Sequence, residues 1–192
     1  MTHSTHPQVL VSLAIIRNRA ELTPRSTIRS VAMFTVTRSG EDEAWFDIDH
    51  AAFDGDANRA KIIDGICDRI PRDATVLVQI PRIPKHYLRD AVASGQPLQP
   101  ADAQLIQRHR QDIDLVPIDC VERQLVSAAQ DLGLPAAATG AGVTERARRA
   151  PDRAQLLWQL YLHAFFPSQG RTDLTAAWQA WREIERARLI PF

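Results

Sequence analysis

The chain has 192 residues, 45 % apolar and 24 % charged, which is ordinary globular composition and room for one domain. Its 23 basic residues balance 23 acidic ones, which disfavours a protein living by non-specific phosphate binding, and its two cysteines exclude a disulfide scaffold. No apolar run approaches the ~18 residues that span a bilayer. Met1 to Gln8 lacks the basic and apolar regions of a signal peptide, so a flexible N-terminus over 1–8 and a cytoplasmic location are expected. Lysine occurs only at Lys61 and Lys85, and arginine supplies every other basic residue. GC-rich coding explains that bias, and bidentate recognition of phosphate or carboxylate is the functional alternative.

Val9 to Ile16 (VLVSLAII) is short, apolar and β-branched, which predicts a buried strand. Ile28 to Arg38 predicts a second strand, with Val31, Met33 and Thr35 on one face and Ala32, Phe34 and Val36 on the other. A turn at Ser39 to Glu43 leads to a third strand over Ala44 to Ile48. From Ala57 to Ile70 the period changes: Ala60, Ile63, Ile66, Cys67 and Ile70 form the stripe of an amphipathic helix. Thr75 to Ile80 is a fourth strand. Helices are expected over Lys85 to Ser94, closed by Gly95, and over Ala101 to Gln111. Pro117 then opens a helix from about Ile118 to Leu132. The small residues from Ala136 to Val143 suggest a mobile loop, before helices at Thr144 to Phe166 and Asp173 to Leu189.

This order predicts an α/β protein: three antiparallel strands, a crossover helix, a parallel fourth strand, and a single domain over 9–192 that is helical from about residue 101 onward.

Most catalytic signatures are missing. Asp54-Gly55-Asp56 opens like a calcium loop, but the twelfth position is Gly65 and the sixth is Arg59, so an aspartate helix cap fits better. None of the six histidines pairs with a second ligand at metal-binding spacing. Cys67 lies on an apolar helix face, the setting of a buried core thiol. Cys120 falls on a predicted first helical turn, which lowers a thiol pKa, but no base accompanies it. Phosphate-loop, dinucleotide and nucleophile-elbow motifs are all missing.

Two groups of residues suggest binding. Arg82, Lys85 and Arg89 follow the end of the fourth strand, where open α/β sheets hold their ligands, and they are candidates for nucleic-acid contacts. Their ordinary alternative is a solvated charged face. Trp158, Trp178 and Trp181 lie in the aromatic-rich C-terminal helices. Helical spacing suits them to core packing, and a partner interface or base-stacking platform is the functional alternative.

The element order resembles the DEDD-type 3′–5′ exonuclease family, with the ribonuclease H-like fold of the DNA polymerase III epsilon subunit. Ser26 to Ile48 resembles its second and third strands around a glycine turn. Ile62 to Arg89 resembles its helix, fourth strand and second motif. Val116 to Pro135 resembles the helix that starts Pro-x-Asp-Thr, and Thr172 to Ile184 its final helix. The family's chemistry needs carboxylates that hold two divalent metals about 4 Å apart. Where the family carries Asp-x-Glu, Val11 to Ile15 reads Val-Ser-Leu-Ala-Ile. Register places Pro84 or Lys85 at the second motif, and Gly170 and Thr175 at the third, with Asp173 two residues away.

The resemblance therefore implies an exonuclease fold without catalytic residues, metal or cofactor. Such a protein would be an interaction module for nucleic acid or a protein partner in a bacterial DNA- or RNA-handling complex, with its oligomeric state open. Lys85 in place of an acid would turn a cation site into an anion site. The alternative is an enzyme with a diverged site, either an unrelated α/β enzyme or a residual nuclease using Asp47, Asp49, Asp119 and Asp173. Carboxylates gathered at the sheet's C-terminal edge would favour the enzyme, and arginines gathered there the binder.

Overall fold

The computed structural model describes residues 8–17, 27–39, 43–53, 57–80, 101–119, 130 and 143–188. β1 (Val9–Arg17), β2 (Ile28–Ser39) and β3 (Glu43–Ala52) form an antiparallel meander. α1 (Arg59–Arg69) crosses over to β4 (Thr75–Ile80), which pairs in parallel with β1. α2 (Ala101–His109) precedes β5 (Asp114–Asp119), which pairs in parallel with β4. The sheet order is β3-β2-β1-β4-β5, the ribonuclease H-like arrangement. α3 (Val143–Arg148), α4 (Ala150–Phe165) and α5 (Ser168–Arg188) complete the fold. No helix among the described residues is long and apolar enough to cross a membrane.

Strand alternation divides the core into two layers, because successive side chains leave a strand on opposite faces. Val11, Leu13, Val31, Met33, Val76 and Val78 pack under α1 and α2, against Ile63, Ile66, Cys67 and Ile106. Leu10, Ala14, Ala32, Phe34, Val36 and Leu77 face the other way, against Leu157, Trp158 and Leu162 of α4 and Trp178 of α5. The two faces expected of the second strand are those observed. On α1, Ile62 is buried while Ala60 is exposed. The helix is capped by Asn58, whose side-chain Oδ1 accepts from the Ala60 N–H at 2.9 Å. Asp54 to Asp56 lie outside the described residues.

Several expectations are corrected. The chain is not helical throughout from residue 101: β5 occupies Asp114–Asp119, where Pro117 was expected to open a helix. β5 is an edge strand, and an edge tolerates proline because the missing N–H can point away from the neighbour. The third strand runs to Ala52 rather than Ile48. The expected helix at 144–166 is two helices, broken before Pro151, which sits in the first turn of α4 and has no N–H to continue the earlier helix. α5 begins at Ser168, directly after Pro167, and includes Gly170. The helix expected over Lys85–Ser94, most of that expected from Ile118 to Leu132, and nearly all of the loop at Ala136–Val143 lie outside the described residues.

The C-terminal tryptophans follow the core-packing reading of their helical spacing, rather than the interface alternative, and build the α4–α5 core. Trp158 and Trp178 are 1 % and 0 % exposed. Phe34 meets Trp158 edge-on at 5.4 Å between ring centroids and stacks with Phe46 at 6.0 Å, while Trp158 and Trp178 lie 6.0 Å apart. The Trp178 indole N–H donates to Gln155 Oε1 at 2.9 Å, satisfying its one polar atom. Trp181 is half-buried, 5.6 Å from Phe34 and 5.9 Å from Phe46. These rings face inward because the i, i+3 spacing of Trp178 and Trp181 presents both to the sheet. Among the described residues the exposed large apolar side chains are Trp45, Phe165 and Ile184.

Candidate functional site

The C-terminal ends of β1 and β4 lie side by side, where open α/β sheets place their ligands. β1 brings no carboxylate there. Val11, Leu13 and Ala14 are buried apolar residues, and Ser12 is 1 % exposed. A charged network closes the end of the strand. Arg17 ends β1 and is 8 % exposed, and its guanidinium bonds Asp102 Oδ2. Asp102 stands in the first turn of α2, 3 % exposed, where a helix N-terminus favours negative charge. Arg59, at the start of α1, completes the network: its Nε donates to Asp102 Oδ1 at 3.0 Å and its Nη2 lies 2.8 Å from the same oxygen. Three elements are thus tied together at one corner of the sheet.

On the opposite face of the same edge, Arg153 of α4 donates through Nε to Gln79 Oε1 at 2.8 Å and through Nη2 to the same oxygen. Gln79 lies near the end of β4 and Asp119 closes β5 beside it. The described part of this edge therefore gathers Arg17, Arg59 and Arg153 with Asp102. Three guanidiniums beside Asp102 and Asp119 leave a positive excess, which suits an anion better than a divalent cation.

The carboxylates of the enzyme alternative do not converge. Asp47 and Asp49 lie on β3, opposite Thr35 and Met33 of β2. β5, with Asp119, is at the far edge of the sheet. Four inter-strand steps of about 4.8 Å put roughly 19 Å between those edges. Asp49 lies 3.7 Å from Arg69, with both side chains more than half exposed. Asp173 sits on an exposed position of α5, accepting from Gln169 Nε2 at 3.4 Å. No group of three histidine, cysteine, aspartate or glutamate residues suited to a metal ion occurs among the described residues.

Arg82, Lys85, Arg89 and Cys120 lie outside the described residues. Cys67 is 6 % exposed, and burial pushes its thiol above the ordinary range, the setting of an inert core cysteine. His50 shares a 2.8 Å hydrogen bond with buried Ser30 and belongs to no group of three potential metal ligands among the described residues.

The sequence reading singles out none of Arg17, Gln79, Asp102 and Arg153, and meets Arg59 only at the sixth position of the rejected calcium loop. One signal was available: Asp102 directly follows the first residue of an expected helix, a position suited to an acid. Its arginine partners are fixed by strand order and are not legible locally. No family model matches this chain and no curated protein matches it, so its function is argued from its own residues.

Proposed function

We propose that this chain is a catalytically inactive, exonuclease-like module of the DEDD type that binds nucleic acid or a protein partner in a bacterial, cytoplasmic DNA- or RNA-handling complex. The observation that carries this reading is the composition of the β1–β4 edge, where Arg17, Arg59 and Arg153 stand with Asp102, and Asp119 closes the neighbouring strand. Two-metal hydrolysis needs carboxylates that converge on cations about 4 Å apart. Arg17 and Arg59 are held by Asp102 and Arg153 by Gln79, so the edge offers a cationic field that favours anions over divalent cations. Arg82, Lys85 and Arg89 follow β4 directly in the chain, and the reading gives them the same role. The neutral charge balance suits an acidic protein segment as well as a nucleic acid.

The test uses the full chain. Single-stranded and duplex DNA and RNA, incubated with Mg²⁺ or Mn²⁺, should remain intact. Processive 3′ trimming that needs the metal and is abolished by Asp173→Ala would overturn the proposal. Oligonucleotide affinity is then measured across a salt series for the parent and for the Arg82/Lys85/Arg89→Ala triple variant. Each lost phosphate contact should weaken binding and reduce the salt slope by roughly one unit. Unchanged affinity, or none in the parent at low salt, removes nucleic acid and leaves a protein partner, to be identified by co-purification from the native host.

A further inference from the structure

A cleft lies between α1 and the β2–β3 pair, with a volume of about 150 Å³. Its floor is apolar: Val31 and Met33 from β2, Ile62 and Ile66 from α1, all buried. Its α1 wall is Lys61, Gly65 and Arg69, which follow one another at intervals of four and share one helix face. The helix face is open at Gly65, where a Cβ would meet nothing within 4 Å. Across from it stands Asp49 of β3, 3.7 Å from Arg69. Lys61 makes no ion pair among the described residues. The rim therefore carries Lys61, Arg69 and Asp49 around an apolar floor, with His50 beside them bonded to Ser30.

We propose that this cleft binds a small amphipathic monocarboxylate, a ring or branched chain of about six carbons bearing one carboxylate that is held by Lys61. Size and charge select that class. The cleft is open to solvent on one side, and its volume of about 150 Å³ leaves room for a ring of about six carbons with its charged group at the rim. The single uncompensated positive charge matches a monoanion rather than a dianion or a cation. Small-molecule sites combine the same two features, an apolar wall and a few placed polar groups. The proposal is independent of partner binding at the β1–β4 edge and rests on different residues.

The test titrates the full chain with benzoate, and with benzyl alcohol and benzylamine as neutral and cationic counterparts. Binding is read by calorimetry and by amide chemical shifts. Benzoate should bind most tightly, with shifts centred on Met33, Gly65 and Ile66. Lys61→Met should weaken benzoate by about tenfold and leave benzyl alcohol unchanged, since a hydrogen bond to a charged group is lost. Gly65→Leu should fill the cleft and abolish binding with its far-ultraviolet circular dichroism unchanged. If that variant fails to fold, the shift map of the parent decides. Shifts elsewhere, no benzoate binding at millimolar concentration, full binding in folded Gly65→Leu, or benzyl alcohol binding as tightly as benzoate would each overturn the proposal.

Discussion

Arg110 holds Asp112 in a two-pronged fork, Nε to Oδ1 at 2.7 Å and Nη2 to Oδ2 at 2.8 Å. Its other contacts reach the exit of α1: Nη1 donates to the carbonyls of Cys67 at 2.5 Å and Ile70 at 2.7 Å, and Nη2 to that of Pro71 at 3.0 Å. The last carbonyls of a helix lack intrahelical partners, and a guanidinium satisfies them while complementing the negative end of the helix dipole. One side chain between α2 and β5 thus fastens the crossover helix to the parallel half of the sheet.

The fork makes stability pH-dependent. The hydrogen bond from Arg110 holds the Asp112 carboxyl down at about 2. An unfolded aspartate titrates near 3.9, so on acidification the unfolded chain takes up this proton first. The contribution is present above about pH 4 and lost as the pH falls towards 2. Thermal melts of Asp112→Asn should therefore converge on the parent at low pH and fall below it at neutral pH. Parallel curves across that window would show that the fork contributes nothing.

The Arg17–Asp102 pair is buried, so its loss is costly. Asp102→Asn leaves Arg17 without its carboxylate in a site where it is 8 % exposed. Removing one partner of a buried pair costs about 3–5 kcal/mol, whereas replacing both with packed apolar residues is often neutral. Urea unfolding should show a large loss for Asp102→Asn and partial recovery in Arg17→Met/Asp102→Leu, which still leaves Arg59 without its carboxylate. An unchanged midpoint in the single variant would contradict the assignment.

The α4–β1 contact holds polar atoms that its packing does not use. Gln159 is 1 % exposed with neither amide atom hydrogen-bonded, and buried Ser12 Oγ is likewise unpartnered among the described residues. A buried polar group without a partner costs about 1–3 kcal/mol, so Gln159→Met should raise the urea midpoint. Trp158→Ala, which empties the centre of the same aromatic core, should cost about 3–5 kcal/mol. A lowered midpoint in Gln159→Met would show that an ordered water completes the amide's hydrogen bonds.

Period carries local information, and the local elements were legible from it. Alternation sorted Val31 and Met33 from Ala32 and Phe34, and the stripe of Ile63, Ile66 and Cys67 set the inward face of α1. The two central layers therefore followed from sequence alone, as did the antiparallel meander and the parallel fourth strand. The β1 segment Val11 to Ile15 already showed that no carboxylate occupies the middle of the sheet.

Tertiary structure decided what depends on distant partners. β5 is a strand because β4 offers it a ladder, a non-local pairing that outweighs the helix-opening preference of Pro117. The C-terminal tryptophans became core because the sheet face at Phe34 and Phe46 receives them. Arg17 meets Asp102 across 85 positions of chain, and Asp47 is parted from Asp119 by the width of the sheet. Residue spacing reports one helix face or one strand face at a time. Which of those faces meet is set by strand order, and strand order is chosen by the burial of the whole core at once.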